Sequence, residues 1–568
     1  MIKRLALITS ISIGVWSLLT GCDDDISEQS EMADSIFISG TILTLNKTDE
    51  VAQAVAVKNG NILAVGSDSE IAHFIGDETQ VVNLQGSTLI PGFYDAHSHF
   101  VMTGMVGLYQ INLNSPPIGT VESIENIIAL LEEKANNIPA GDWIEGFGYD
   151  DTLLVEGRHP TRDDLDRAST EHPILITHTS GHLAVANSLA LELAGITNAT
   201  PQPEGGVIRK DEDGEPTGVL DEPPAFDQVG KLIPAMTTEQ MLAAIRYASD
   251  IYAAKGVTTA NSGLASIELI SLLKMASEQD DLLNVHVIAW PTLEDSQQAY
   301  DLALNNDKLI IGGIKEVADG SIQGYSGYLS EPYYTPFNGD ADYRGYPRHD
   351  REKLADRIMK IHSAGRQVFL HANGDAAIDD ALYAFRKAQE AFPREDTRHT
   401  LIHAQMARED QLDEMAELGL IPSFFQLHTY YWGDRHRDIF MGPERAFRMS
   451  PTKSAADRGM RFTIHTDTPV VPMDPMLMIW SAVNRVSTSG QVIGREQSIT
   501  ALEALRATTI NSAFQNFEDH IKGSIEPGKL ADFTILAENP LKVDPIRIKD
   551  IQILEAIVGG DSIYKTML

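Results

Sequence analysis

The sequence has very little cysteine: Cys22 is the only one among 568 residues. A chain with one cysteine can form no internal disulfide and can offer no cluster of thiolates to a metal. Any metal site must therefore use histidine, carboxylate or a modified lysine. The chain also lacks the motifs of several enzyme classes, since it has no Walker-type loop, no Rossmann glycine fingerprint and no Gly-x-Ser-x-Gly elbow.

Basic residues are scarce relative to acidic ones. The 44 lysines and arginines stand against 81 acidic residues, which gives a net charge of −37. Such a surface disfavours nucleic acid and anionic lipid headgroups, so neither is predicted as a partner. The length and the 43% apolar side chains allow a large core and exceed the usual size of one domain. We expect one large domain and a smaller one, and a homodimer stays open.

The N-terminus has the pattern of a targeting signal. A basic start is followed by a mostly apolar run from Leu5 to Leu19, too short for a comfortable membrane span. The run ends in LTGC, which resembles a bacterial lipobox with Cys22 as the lipid-bearing residue; the alternative is a buried anchor helix with an incidental cysteine. We expect a signal peptide over residues 1–22 and an acidic tether over 23–34.

The expected location follows from this signal. A lipidated Cys22 would anchor the protein in the bacterial cell envelope, facing the periplasm, with the lipid as its only membrane contact. The acidic residues directly after Cys22 resemble a retention signal, which favours the inner over the outer membrane.

The stretch TLIPGFYDAHSHF, from Thr88 to Phe100, is predicted to be a buried strand that runs out into a polar loop. His97 and His99 are two residues apart, so in an extended chain their imidazoles point to the same side. Two neutral imidazoles that converge on one point suit a divalent metal such as zinc. The alternative is a pair of polar histidines bonded to backbone.

Three later apolar runs also end in a residue that can bind metal. His371 closes QVFLH, His403 closes TLIH, and Asp467 follows RFTIHT. Alternation of strands and helices predicts a parallel α/β barrel, in which the active site lies at the C-terminal ends of the strands. Nine strand candidates, PILITHTSGH among them, are one more than the eight strands of such a barrel, and we expect NVHVIAW or LIIGGIK to be reassigned.

Together these segments resemble the amidohydrolase superfamily, and within it amidohydrolase family 3, which includes N-substituted formamide deformylases. The resemblance runs from about Ser35 to the C-terminus and implies a distorted TIM (β/α)8 barrel over residues 88–521. Short β runs at both chain ends, residues 35–87 and 522–568, predict a small composite β-sandwich. Loops rich in proline and glycine at about 113–234 predict an insertion.

The resemblance also implies a metal centre with two divalent cations, zinc being favoured. His97, His99 and Asp467 would hold the first ion, and His371 and His403 the second. Asp467 would also act as the catalytic base.

Lys315 is a further candidate ligand, because it lies in a largely apolar strand and a buried lysine tends to lose its proton. A neutral amine can take up CO2, and the carbamate could bridge two cations. The alternatives are a lysine paired with Asp319, Glu316 or another acid, and Glu222 as the rival carboxylate ligand.

Substrate contacts are expected from a second group of residues. His178 and His182, in ITHTSGHLAVANS, resemble a substrate-proximal segment of the family, and His182 would orient the substrate carbonyl unless it is a core histidine. The weaker candidates for the pocket are Glu222, Glu316, Asp319 and Arg485, and His465 is a candidate for a supporting role. The aromatic loop from Phe424 to Asp434 could line the pocket, or it could equally pack on the rim of the barrel.

The sequence therefore predicts a hydrolase that uses metal-activated water to cleave non-peptide C–N bonds of a small molecule, either an amide or an N-substituted formamide. The alternatives are an esterase or a mononuclear hydrolase on the same barrel. A non-catalytic envelope binding protein is also open, although it would have no need of a base beside a metal site.

Overall fold

The computed structural model describes residues 32–566. The predicted signal peptide, Cys22 and most of the acidic tether lie outside these residues. Among the described helices, none combines the length and the apolar character that crossing a membrane requires.

The strands of the described residues follow one another in the chain as follows: β1 (Ser35–Ile38), β2 (Thr41–Leu43), β3 (Val51–Ala52), β4 (Ala54–Lys58), β5 (Asn61–Gly66), β6 (Gln80–Asn83), β7 (Thr88–Pro91), β8 (Phe93–Tyr94), β9 (Ile111–Asn112), β10 (Ile144–Tyr149), β11 (Ile174–His178), β12 (Leu183–Ala186), β13 (Val207–Lys210), β14 (Pro216–Asp221), β15 (Val257–Ala265), β16 (His286–Pro291), β17 (Leu309–Ile311), β18 (Ile314–Val317), β19 (Val368–Ala372), β20 (Thr400–His403), β21 (Ile421–Phe425), β22 (Thr463–His465), β23 (Phe533–Leu536), β24 (Ile553–Val558) and β25 (Asp561–Lys565).

The α-helices of the same residues are α1 (Asp68–Ile71), α2 (Phe100–Tyr109), α3 (Ile124–Ala135), α4 (Arg162–Ala168), α5 (Ser188–Ala194), α6 (Pro223–Gly230), α7 (Thr238–Ala254), α8 (Ile267–Ser277), α9 (Ser296–Tyr300), α10 (Arg351–Ser363), α11 (Asp375–Ala391), α12 (Glu409–Leu418), α13 (His428–Tyr431), α14 (Gly433–Arg435), α15 (Gly442–Arg448), α16 (Thr452–Asp457), α17 (Pro475–Asn484), α18 (Ala501–Ala507) and α19 (Ile510–Gln515). Short 3-10 helices cover Ala72–Phe74, Ile322–Gly324, Arg495–Gln497 and Pro545–Asp550, and a π-helix covers His436–Phe440.

Two parallel sheets bring the predicted metal-binding segments together. One has the order β17-β16-β15-β8 and the other the order β18-β19-β20-β21-β22. An isolated parallel bridge between Thr292 and Lys315 joins the two sheets. Beyond the last strand, the Asp467 N–H donates a hydrogen bond to the carbonyl oxygen of His97, just beyond β8. The C-terminal ends of the first and last of these strands therefore meet.

The expected reassignment of one surplus strand was wrong. NVHVIAW and LIIGGIK both stay in the parallel sheets, as β16 and as β17 with β18, whereas PILITHTSGH leaves them. Its strand β11 pairs in parallel with β10 but antiparallel with β12, across a tight turn in which Gly181 has a φ of +72°. A hairpin partner of this kind cannot be added to an all-parallel ring of strands.

The strand β11 belongs to a separate six-stranded sheet with the order β13-β14-β12-β11-β10-β9. Helices cover both faces of this sheet, with buried side chains of α3 and α4 in one apolar cluster and those of α5 and α6 in another. The region predicted as an insertion therefore has its own sheet and its own apolar packing.

A six-stranded sheet with the order β25-β24-β23-β7-β2-β3 combines strands from both ends of the chain. Its central strands β7 and β23 run antiparallel to each other. Phe37 and Val55, from the neighbouring four-stranded sheet β5-β4-β1-β6, share one apolar cluster with Leu89 and Phe533 of the composite sheet. Both chain ends therefore contribute to one packed β region.

The single strand predicted through TLIPGFYDAH is divided at Gly92. Thr88–Pro91 pairs in the composite sheet, and Phe93–Tyr94 pairs with β15 in a parallel sheet. A Cβ atom at Gly92 would lie 2.2 Å from Oγ1 of Thr258, so the backbone can pass between the two sheets here only without a side chain.

We predict that Gly92→Ala lowers the free energy of unfolding by about 1–3 kcal/mol, the usual cost of overpacking, and that the denaturant midpoint falls accordingly. Gly230→Ala is the matched control, because nothing lies within 4 Å of its Cβ position at the end of α6. Equal midpoints for the two variants would contradict the proposed close approach at Gly92.

Candidate active site

A cavity of 580 Å³ lies where the parallel strands end. All six side chains predicted to bind metal line it, together with two of the predicted substrate contacts. They are His97, His99, Lys315, His371, His403 and Asp467, with His182 and Glu222 beside them.

Asp467 is the negative centre of this cavity. Its Oδ1 atom lies 3.2 Å from Nε2 of His97 and 3.5 Å from Nε2 of His99, and its Oδ2 atom lies 3.9 Å from Nε2 of His403. Burial acts to raise the pKa of the Asp467 carboxyl, but the facing imidazoles, His97 first, hold it well below its usual range. Asp467 therefore stays ionised. Its φ of +57° is uncommon for a residue other than glycine and is typical of functional sites.

Three histidines of the cavity, His97, His371 and His403, are held in their neutral form. Burial, followed by the charge of Lys315, lowers the pKa of His97 to about 3. Burial is also the main reason why the pKa values of His371 and His403 lie well below the ordinary value. Neutral imidazole is the form that binds a metal, so these residues do not have to lose a proton first.

A neighbouring acceptor or donor orients three of these rings. Nδ1 of His99 lies 3.0 Å from the carbonyl oxygen of Gly263, and Nε2 of His371 lies 3.1 Å from that of Gly320. Nδ1 of His403 lies 3.1 Å from Nε2 of His465. One nitrogen of each ring is thus occupied and the other is left to bind, which is the usual arrangement of metal-binding histidines. His465, a candidate for a supporting role, contacts the ring of His403 in this way.

Lys315 lies against the same group. Its Nζ atom is 3.3 Å from Nε2 of His97, and burial lowers its pKa to about 7. Within residues 32–566 no carboxylate lies within 4 Å of Nζ, and Asp319 and Glu316 are occupied elsewhere. Asp319 accepts backbone N–H groups, and Glu316 binds Arg357. The expectation of a lysine paired with one of these two acids is therefore not met.

The donor set fits a divalent metal such as zinc. It combines neutral imidazoles with an ionised carboxylate, and the ligand atoms of His97, His99 and Asp467 all lie within 4.8 Å of one another. Oδ1 of Asp467 is buried and, among the described residues, accepts no hydrogen bond. A bound cation would supply the missing partner of that oxygen.

Glu222 and His182 form a pair at the edge of the metal ligands. Oε2 of Glu222 lies 2.8 Å from Nδ1 of His182, whose ring centre is 5.1 Å from that of His371. Burial acts to lower the pKa of His182, but Glu222 raises it above the ordinary value. Oε1 of Glu222 is buried and has no hydrogen-bond partner within the described chain, so this carboxylate can still bind a cation or the substrate.

Three predicted pocket residues do not line the cavity. His178 is fully buried, with Nε2 3.2 Å from Asp151. Asp319 fixes the turn after β19 through the N–H groups of Asn373 and Gly374. Arg485 is equally buried, and its guanidinium donates to the backbone carbonyl groups of Met449, Ser450 and Ile493. In this structure the three side chains contact polar groups inside the protein and do not face the cavity, and their contact with a substrate stays a prediction.

The aromatic loop from Phe424 to Asp434 also contributes no lining residue to the main cavity among the residues described. The Trp432 ring of this loop donates a hydrogen bond from Nε1 to Asp150, which lies 2.9 Å away in the inserted region. Of the two interpretations left open, packing on the rim is the one that fits.

One wall of the cavity is charged and was not predicted from the sequence; it is formed by Arg348, Arg357, Glu294 and Glu316. Of these, only Glu316 was a candidate. Arg348 lies in GYPRHD, an irregular segment with neither helical nor strand periodicity. The only signal was the unusual run of charged residues just before α10.

Comparison with known proteins gives a consistent result. A sequence model of the Amidohydrolase family matches residues 80–564. The chain is 26% identical to the N-substituted formamide deformylase of Arthrobacter pascens, over 94% of this chain and 98% of that protein. It is 30% identical to the protein LONG AFTER FAR-RED 3 of Arabidopsis thaliana, over 94% and 92%.

Solved structures are similar as well. A crystal structure of an uncharacterized metal-dependent hydrolase from Pyrococcus horikoshii OT3 aligns with a TM-score of 0.70 at 27% identity. The alignment covers 90% of this chain and 99% of that one. The similarity thus extends over the parallel strands and the composite sheet alike.

Proposed function

The chain belongs to the amidohydrolase family, and from this premise we propose that it hydrolyses a non-peptide C–N bond, either in an amide or in an N-substituted formamide. Family membership supports a metal-dependent hydrolase, and the type of bond is our proposal. The observation that carries the proposal of metal-dependent hydrolysis is the ionised Asp467 carboxylate, which faces His97 and His99 inside one cavity.

Two zinc ions, when bound, would lower the pKa of a water molecule and polarise the scissile carbonyl. His97, His99 and Asp467 would hold one ion, and His371 and His403 the other. Lys315, after its neutral amine has added CO2 and released a proton, would bridge them. The lowered pKa of the lysine supports this role, as does the absence of a carboxylate within 4 Å of its Nζ atom among the described residues.

Asp467 would transfer the proton. As water attacks the carbonyl carbon, its proton passes to the Asp467 carboxylate, and it then moves to the leaving nitrogen when the C–N bond breaks. His182, whose Nδ1 atom lies 2.8 Å from Glu222, would orient the carbonyl oxygen. No protein nucleophile is needed, in accord with a chain that has no usable cysteine and no serine elbow.

We also propose that the parallel strands β8, β15, β16 and β18 to β22 close into a distorted (β/α)8 barrel, and that the composite β region is a small sandwich. The bridge between Thr292 and Lys315 supports closure on one side, and the hydrogen bond between Asp467 and His97 supports it on the other. The barrel would place the ligands at its C-terminal face.

The proposed function is tested by measuring the metal content of the purified protein and then assaying amides, N-substituted formamides and carboxylic esters with matched acyl groups. Turnover of an amide or formamide that stops when the metal is removed and returns with zinc is the expected result. Turnover of esters alone would overturn the assignment to C–N bonds.

We predict that Asp467→Asn keeps the fold and lowers kcat by roughly 10²–10⁴, the scale of a lost acid–base group. Loss of a ligand would add to this effect. Asp213→Asn, in an exposed turn, is the matched control and should behave as the wild type. Near-normal kcat for Asp467→Asn would exclude the proposed role.

For Lys315→Ala we expect less bound metal and less activity, because two dications held by histidines need a shared anion. Small added carboxylates should restore part of both. Lys315→Arg should resist rescue, since it keeps a positive charge and fills the space. If Lys315→Ala binds two metals per chain and turns over normally, Glu222 becomes the bridging candidate.

The proposed lipid anchor predicts that the wild type fractionates with the membrane of the producing bacteria, inner rather than outer. Cys22→Ser, which cannot be lipidated, should be found in the soluble fraction. The same distribution for both proteins would rule out the anchor.

A further inference from the structure

The cavity wall formed by Arg348 and Arg357 carries two guanidinium groups with very different surroundings. Arg357 is fully engaged. It binds both oxygens of Glu316 at 2.8 Å, and its Nη1 atom lies 2.9 Å from Oε1 of Glu294. Two carboxylates therefore neutralise this arginine, and it has little capacity left for a ligand.

Arg348 has no such partner. Its Nη1 atom donates to the carbonyl oxygen of Gly205 at 3.2 Å, and within residues 32–566 no carboxylate lies within 4 Å of its guanidinium. Glu222 and Asp227 influence it only from farther away. In the part of the chain that the structure describes, the remaining N–H donors of the Arg348 guanidinium have no protein acceptor, and the cavity they line also contains the candidate metal ligands.

The backbone and the side chain of Arg348 are each restrained by one hydrogen bond, the latter from Nη1 to Gly205. The Arg348 N–H donates to the carbonyl oxygen of Ala318 at 2.7 Å, which fixes the backbone beside β18. Gly205, with a φ of +71°, passes so close that a Cβ atom there would lie 3.2 Å from Cδ of Arg348. A preorganised guanidinium loses less conformational entropy when it binds an anion.

Further cationic side chains lie near Arg348, and its neighbour His349 responds to their charges. Burial, together with the charges of Arg357, Lys353 and Arg348, lowers the pKa of the neighbouring His349 to about 4. Burial also lowers the pKa of Arg348 itself, so its charge is only partly hydrated. An anion from the substrate would offset that loss of hydration.

We propose that Arg348 binds a carboxylate of the substrate, and that the substrates are N-acyl or N-formyl amino acids or closely related amides with one free carboxylate. The inference rests on the proposed function. The guanidinium group of Arg348, with its free N–H donors, matches a single carboxylate in geometry and charge. A dianion such as a phosphate would be repelled by Glu222, Asp227 and Asp467, which line the same cavity.

The rest of the lining suits the remainder of such a molecule. Phe147, Phe226, Leu264 and Leu269 present apolar surface to the cavity. An apolar amino-acid side chain or acyl group would be buried there, while the carboxylate pairs with Arg348 and the scissile carbonyl faces the histidines.

The test compares N-formyl- and N-acetyl-leucine, in both enantiomers, with the corresponding C-terminal carboxamides. For the wild type we expect kcat/KM to be at least about 10-fold higher for the free carboxylate, the effect of one charge-assisted hydrogen-bonded pair. Arg348→Gln should bring this ratio close to one, mainly through KM. Because the ratio is measured within one preparation, a fraction of misfolded protein does not affect it.

Arg344→Gln is the matched control. Arg344 is exposed, lies four residues away on the same segment and does not line the cavity, so its removal should leave the ratio unchanged. A wild-type ratio near one, or a ratio that Arg348→Gln does not alter, would overturn the inference while amide hydrolysis itself still stands.

Calorimetric binding to the Asp467→Asn variant gives a second readout that needs no turnover. N-formyl-leucine should bind at least about 10-fold more tightly than its carboxamide, and Arg348→Gln in that background should remove the difference. If only esters are hydrolysed, the proposed function fails, yet this binding difference still decides the role of Arg348. Equal binding of the two probes contradicts the carboxylate site.

Discussion

The structure around the cavity depends on one constraint, the burial of the Asp467 carboxylate among imidazoles. An ionised carboxylate cannot be buried alone without a large cost in hydration. His97 and His99 reach it from the end of β8, and His403 from the end of β20, while Asp467 itself follows β22. The first and last parallel strands must therefore end at the same place, and the hydrogen bond from the Asp467 N–H to the His97 carbonyl oxygen holds them there.

The same constraint accounts for the neutral, well-oriented histidines. Each ring whose second nitrogen is bonded to a carbonyl oxygen or another ring keeps one nitrogen directed at the cavity. His97 is held differently, because its ring stacks on Trp290 with centres 5.3 Å apart and planes 6° from parallel. Neutral imidazoles surround one carboxylate here, and Lys315, whose pKa is lowered, lies beside them. Such a group of side chains suits a bound cation better than it suits the packing of a protein core.

Much of this arrangement could be predicted from the sequence, because every predicted ligand except Lys315 follows or closes a short apolar run, and parallel strands end on one side of their sheet. The failures have physical causes. The run PILITHTSGH is as apolar as a barrel strand, and only its pairing with β10 and β12 places it elsewhere. His178 could not be told from a pocket residue because its partner Asp151 is distant in sequence. Arg348 lies in irregular chain, where no periodicity indicates which way a side chain points.

The central claim is that Asp467, His97 and His99 hold a metal ion. Anomalous diffraction at the zinc absorption edge, from crystals equilibrated with zinc, tests it most directly. The account predicts a strong peak about 2.0–2.2 Å from Oδ1 of Asp467 and from the Nε2 atoms of both histidines. No peak there, or a peak only at the other His/Asp group formed by Asp150, Asp151 and His178, would contradict it.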